Sequence, residues 1–89
     1  MPTISTFFGI VVQMYWRDHP PPHIHVFYGD DEALIEIRTG EVLAGRLPRV
    51  AMRIVLEWVE LRQAELLENW RRAEQKMSLL VVAGADEDS

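Results

Sequence analysis

The first half of the chain is built from short runs of β-branched and aromatic residues cut by turn residues, and the second half changes period. Thr3–Phe8 reads as a first strand, with Gly9 marking a turn or bulge before a second run, Ile10–Trp16. Side chains alternate along a strand, so Val12, Met14 and Trp16 fall on one face of that run and Val11, Gln13 and Tyr15 on the other. Pro20, Pro21 and Pro22 then force an extended connector with no amide donors. His23–Tyr28 resumes as a strand, Gly29-Asp30-Asp31 is a turn, and Glu32–Arg38 is the next strand. Thr39-Gly40 marks another turn, before a short edge strand over Glu41–Leu43.

From Pro48 to Lys76 the chain has no glycine and no further proline, and the apolar spacing becomes helical. Pro48 suits the first turn of a helix, where its missing amide costs nothing. Val50, Ile54 and Trp58 recur every fourth residue, as do Val55 and Val59, and Leu66, Leu67 and Trp70 continue the stripe. The pattern fits one long helix or two shorter ones bent near Arg62–Glu65. Ser78–Val82 reads as a last extended segment. The expected architecture is α+β: a twisted antiparallel sheet of four or five strands, with C-terminal helix on one face. The expected division is one domain over residues 1–77, followed by an extended segment and a flexible acidic tail over 78–89.

Composition narrows the possibilities. With 89 residues, 48 % hydrophobic and 26 % charged, the chain holds one modest core and leaves no room for a large cofactor domain. The net charge is −5, but Asp86, Glu87 and Asp88 supply three of the negative charges, which leaves a nearly neutral body with no basic stripe. Nucleic acid is therefore a possible partner with little electrostatic support. The absence of cysteine excludes disulfides, thiol nucleophiles and thiolate metal sites. No basic segment leading into a long apolar run opens the chain, and its longest apolar stretches, near Ile10–Val12 and Leu79–Ala83, are too short to cross a bilayer. A cytoplasmic protein with no membrane association is expected.

All three histidines lie within Asp18-His19-Pro20-Pro21-Pro22-His23-Ile24-His25-Val26. If Ile24 and Val26 face the core, His23 and His25 face away from it, with Phe27 following them. Two imidazoles two residues apart on a strand can converge on one ion, which makes His23 and His25 candidate ligands for zinc or nickel. His19 is a poorer third ligand, because the proline run holds it away unless the connector bends or contains a cis bond. Asp18, Asp30 and Asp31 are possible oxygen donors that the sequence does not place. The same two histidines are candidate general acids or bases. No cofactor is required by any of these patterns, and the plain alternative is that the imidazoles pack on aromatic neighbours such as Tyr15 and Phe27.

Arg46, Arg49 and Arg53 cluster at the start of the helix and are candidate phosphate-binding residues, although solvation or pairing with Glu41 and Glu57 also accounts for them. The interleaved Glu57, Glu60, Arg62, Glu65, Glu68, Arg71 and Arg72 read as a charged helix exterior. The five isolated glycines form no phosphate-cradling loop.

Met1-Pro2-Thr3-Ile4, the Asp18–Val26 block and Glu65-Leu66-Leu67-Glu68-Asn69-Trp70 together resemble a small family of uncharacterised bacterial proteins over about residues 1 to 75. That family carries M-P-T-I, D-H-x-P-P-H-x-H-V and E-L-L-x-x-W in the same order. The acidic end departs from its pattern. The family has no established activity, but its genes often neighbour one for a second small protein, in pairs catalogued as toxin–antitoxin candidates. The resemblance therefore implies a protein partner and allows an RNA-directed toxin.

The leading expectation is an interaction module without catalytic activity. Tyr15, Trp16, His19, His23, His25 and Phe27 would be its partner-binding residues, and a second copy of the chain or a small neighbouring-gene product its partner. The rival expectations are a toxin-like ribonuclease using His23 or His25, with Arg49 and Arg53 holding phosphate, and a metal-binding protein.

Overall fold

The pleat of five short strands places alternate residues on a single core, and the helices close over it. The computed structural model describes residues 2–87; Met1 of the opening tetrapeptide and Asp88 of the acidic end lie outside the described residues. Strands β1 (Thr3–Phe7), β2 (Ile10–Gln13), β3 (His23–Tyr28), β4 (Asp31–Glu36) and β5 (Val42–Gly45) form one antiparallel meander in that spatial order. Helices α1 (Arg49–Leu61) and α2 (Gln63–Glu74) follow. The α+β class and the five-strand count agree with the sequence pattern.

Several element ends differ from expectation for local reasons. Strand β2 stops at Gln13 because the chain turns at Trp16–Arg17, where Arg17 takes a φ of 61°. Trp16 therefore leaves the face it would have shared with Val12 and Met14. It stands 45 % exposed, and its indole N–H donates to the Met77 carbonyl at 2.9 Å. Strand β4 ends at Glu36 because the Gly40 N–H returns to the Glu36 carbonyl at 2.9 Å and closes the turn. Strand β5 begins at Val42 and extends to Gly45, with a shift of register opposite Leu34 and Ile35. At Gly45 the backbone runs so close to β4 that a Cβ would collide with the Glu32 carbonyl oxygen, and φ is +74°.

Pro48 caps α1 from just outside the helix instead of occupying its first turn, and its carbonyl accepts the Met52 N–H at 2.9 Å. The helical region is two helices. They break at Arg62, whose φ of −103° and ψ of 20° depart from helical values. Helix α1 turns Ala51, Val55, Trp58 and Val59 into the core, while Val50, on the neighbouring stripe, remains 57 % exposed.

One sheet face supplies Ile10, Val12, Met14, Ile24, Val26, Ala33 and Ile35 to the core, all essentially inaccessible, and α1 covers it. Phe7 and Trp58 pack with ring centroids 4.9 Å apart. Helix α2 crosses the end of the sheet where β3 begins. The Gln63 side-chain amide donates to the carbonyls of Ile37 (3.2 Å) and Arg38 (2.9 Å) at one end of that crossing, and Trp70 lies over His23 farther along.

Residues 78–84 then return along the outer side of β1. Asn69, with no exposed surface, both donates to the Leu80 carbonyl and accepts from the Leu80 N–H, each at 2.8 Å. The Val82 N–H donates to Ile4 at 2.8 Å, and the Trp58 indole donates to the Ala83 carbonyl at 2.7 Å. Among the described residues no helix is long and apolar enough to cross a membrane.

Replacing Asn69 by Ala leaves the Leu80 amide and carbonyl without these partners, at a cost of about 2 kcal/mol. Urea denaturation should show that loss, and hydrogen exchange should show the Val82 amide losing protection while β3 and β4 keep theirs.

Candidate metal centre

Ladder geometry and a returning loop assemble the site. The β3–β4 register pairs His23 with Glu36, Ile24 with Ile35, His25 with Leu34 and Phe27 with Glu32. Ile24 and Val26 enter the core, so His23 and His25 stand side by side on the opposite face, with ring centroids 5.1 Å apart. After β2 the chain loops out, and the Pro20–Pro21 peptide is cis. This loop carries Asp18 back over the start of β3.

The Asp18 Oδ2 atom lies 3.0 Å from His23 Nε2 and 2.9 Å from His25 Nε2. Its other oxygen, Oδ1, accepts the backbone N–H of His19 at 2.9 Å. The three ligand atoms of Asp18, His23 and His25 lie within 4.8 Å of one another.

Burial is deeper than expected. The imidazoles occupy the face opposite Ile24 and Val26, as the alternation requires, but they are not displayed to solvent. The His23 side chain is 7 % exposed and that of His25 12 %. Trp70 covers His23 at a centroid distance of 5.3 Å, and Tyr15 covers His25 at 4.2 Å. The sheet end is closed by α2, a tertiary contact that strand alternation does not encode.

The tautomer of His23 follows from its neighbour. Its Nδ1 lies 2.8 Å from the Pro21 carbonyl oxygen, which can only accept, so Nδ1 carries a hydrogen. In the neutral ring Nε2 is then a bare lone pair aimed at a carboxylate oxygen 3.0 Å away. Two lone pairs do not attract. The contact closes with a proton held between the imidazole and the carboxylate or with a cation shared among the three atoms. His25 differs, because its Nε2–H can donate to Asp18, while its buried Nδ1 has no hydrogen-bond partner.

Electrostatics follow this geometry. Desolvation pushes the Asp18 carboxyl up, but the hydrogen bonds from His25 and the His19 amide, joined by the attraction of His23 and His25 when those rings are protonated, hold it below the usual carboxylate range. Burial pushes the Tyr15 phenol above its ordinary value, with smaller contributions from the negative charges of Glu32 and Asp18.

The other candidates are dispersed. His19 is exposed and lies outside the cluster, as do Asp30 and Asp31. Tyr15 is half-buried, and its hydroxyl donates to Gln13 Oε1 at 3.1 Å. Phe27 is half-buried two residues beyond His25. Arg46, Arg49 and Arg53 are all exposed, with no ion pair to Glu41 or Glu57 among the described residues. Arg49 opens α1 next to Pro48 and Val50, which border a hollow with Phe8, Ile10 and Tyr28. Tyr28 ends β3 and His23 begins it, so this helix terminus and the imidazoles lie at opposite ends of the strand.

Asp18, one of three oxygen donors the sequence offered without placing, is the one that converges. Two participants escaped the sequence reading, Trp70 as the cover of His23 and Glu32, whose Oε2 lies 3.7 Å from His25 Nδ1. Only Glu32 had a usable signal. A two-residue Gly29-Asp30 loop pairs Tyr28 with Asp31, and the ladder then puts Glu32 on the histidine face.

The family model described as Domain of unknown function (DUF4160) matches residues 9–71. The chain belongs to this family. The DUF4160 match runs from the turn before β2 to the last turns of α2, and so contains Asp18, His23, His25 and Trp70. No curated protein and no solved structure matches the chain.

The lowered carboxyl of Asp18 gives a signed pH dependence. Its contribution to stability is present above the ordinary carboxylate value and is lost as pH falls through the lowered one. In metal-free buffer the wild type should therefore lose more stability than Asp18→Asn between neutral and strongly acidic pH. Chemical denaturation midpoints measured across that range would check it.

Proposed function

We propose that this DUF4160 domain binds a divalent first-row transition metal, zinc or nickel, through Asp18 Oδ2, His23 Nε2 and His25 Nε2. The single observation that carries this reading is the His23 ring. Its Nδ1–H is committed to the Pro21 carbonyl, which leaves Nε2, held 3.0 Å from a carboxylate oxygen, as the nitrogen able to ligate. Ligand atoms held about 2.0–2.1 Å from one ion stand about 2.9 Å apart in an octahedral shell and about 3.3 Å apart in a tetrahedral one, and Asp18 Oδ2 stands 3.0 and 2.9 Å from the two imidazoles. A ligating histidine usually donates its other nitrogen to a carbonyl or carboxylate, which fixes the ring, and Pro21 does this for His23. Two imidazoles and one carboxylate leave coordination positions open to a further ligand.

Tag-free protein stripped with chelator and titrated calorimetrically should take up one equivalent of zinc or nickel. His23→Ala, His25→Ala and Asp18→Asn should each weaken binding by at least about tenfold, with His19→Ala near wild type. Saturating metal that leaves the wild-type calorimetric trace and melting curve unchanged would dispose of the reading.

The sheet face opposite α1 supports a second reading, recognition of a protein partner. Val11, Phe27 and Leu34 lie half-buried on that face, bordered by Tyr15 and His25, and α2 reaches the face at its His23 end through Trp70. A second copy of the chain and a neighbouring-gene product are the two partners this reading allows. Light scattering should show a mass above one chain, alone or with that neighbour, that Phe27→Ser reduces. A monomer indifferent to the neighbour at high micromolar concentration would count against it.

A further inference from the structure

His25 carries an unpaid polar group. Its Nδ1 is buried without a hydrogen-bond partner, while the Glu32 carboxylate, half exposed, stands 3.7 Å away, just beyond bonding distance. The arrangement follows from the metal-free tautomer. With Nε2–H donating to Asp18 Oδ2 at 2.9 Å, the neutral ring has a bare Nδ1, and a carboxylate has no hydrogen to offer it.

A metal at the convergence point reverses the ring. Nε2 must give up its hydrogen to present a lone pair to the ion, and the neutral imidazole then carries its single hydrogen on Nδ1. That hydrogen is buried and needs an acceptor. Glu32 lies on the adjacent strand, beside Leu34, which pairs with His25. Its backbone is held in place just past the end of β5, where the Arg46 N–H donates to the Glu32 carbonyl at 3.0 Å. A small rotation of the side chain brings an oxygen within reach of Nδ1.

We propose that Glu32 is the positioning residue of the metal centre, accepting the His25 Nδ1–H and thereby selecting the tautomer whose Nε2 can ligate. The proposal rests on the metal-binding reading. The hydrogen leaves Nε2 and the ring regains one at Nδ1 through exchange with solvent, so the imidazole stays neutral and no other group changes charge. His23 and His25 thus use matched devices, a fixed carbonyl acceptor for one and a mobile carboxylate for the other.

The test is zinc affinity by chelator competition on the full chain, together with long-range ¹⁵N–¹H spectra of the histidine rings. Glu32→Ala should weaken zinc binding between about tenfold and a hundredfold, and Glu32→Gln, which keeps an acceptor oxygen, should restore most of it. In zinc-loaded wild type, His25 should show a protonated Nδ1 and a ligated Nε2, and this signature should broaden or vanish in Glu32→Ala. Glu36→Ala, a change to another carboxylate on the same face, should bind as wild type. Unchanged affinity and ring spectra in Glu32→Ala, with wild type still binding zinc, overturn the role of Glu32 alone. A wild type that takes no zinc overturns both this proposal and the reading beneath it.

Discussion

The pleat of β3 is the constraint on which the rest of this molecule depends. Ile24 and Val26 can reach the core only if His23 and His25 stand together on the other side, and both aliphatics are fully buried. A slip of one residue would exchange the two sets, placing two imidazoles among the aliphatics and two aliphatics against Asp18. Packing of the core and convergence of the site are thus one choice of register. The hairpin at Gly29-Asp30 fixes that choice locally, and pairing with β2 and β4 on either side reinforces it.

Around that strand the chain closes the site with parts that are distant in sequence. Helix α2 is tied across the sheet end through Gln63 and brings Trp70 onto His23. The loop carrying Asp18 leaves β2 beside Trp16, whose indole is bonded to Met77 just beyond α2. The carboxylate and the ring opposite it are therefore referenced to the same helix. Such support gives convergent polar atoms a defined separation, because none of the three sits on a free end of chain.

Much of the fold could be read from the residues, because period two and period four are local signals. The turns at Gly9, Gly29 and Gly40 and the change of period at Pro48 divided the chain where the elements divide. Strand ends were harder. Trp16 fits a strand by composition, but the turn at Arg17 depends on where the indole finds its acceptor, 61 residues away. The break at Arg62 has no glycine or proline to announce it. In the site, the shared face of His23 and His25 was legible, whereas their burial was not, since it comes from α2 and the returning loop. Asp18 was visible as an oxygen donor but could not be placed, because its position depends on the path through three prolines.

The strand order has one more consequence. Residues 80–84 lie against the free side of β1, with the Val82 amide bonded to Ile4, so that margin of the sheet is already occupied. The opposite margin, β5, is four residues long, irregular in register and ends in a glycine pressed against its neighbour. A sheet with one sealed margin cannot lengthen indefinitely by adding copies side by side, because each addition would need two open sides. Lateral joining through β5 would end at a pair, because the second copy would present only its covered β1 side to a third.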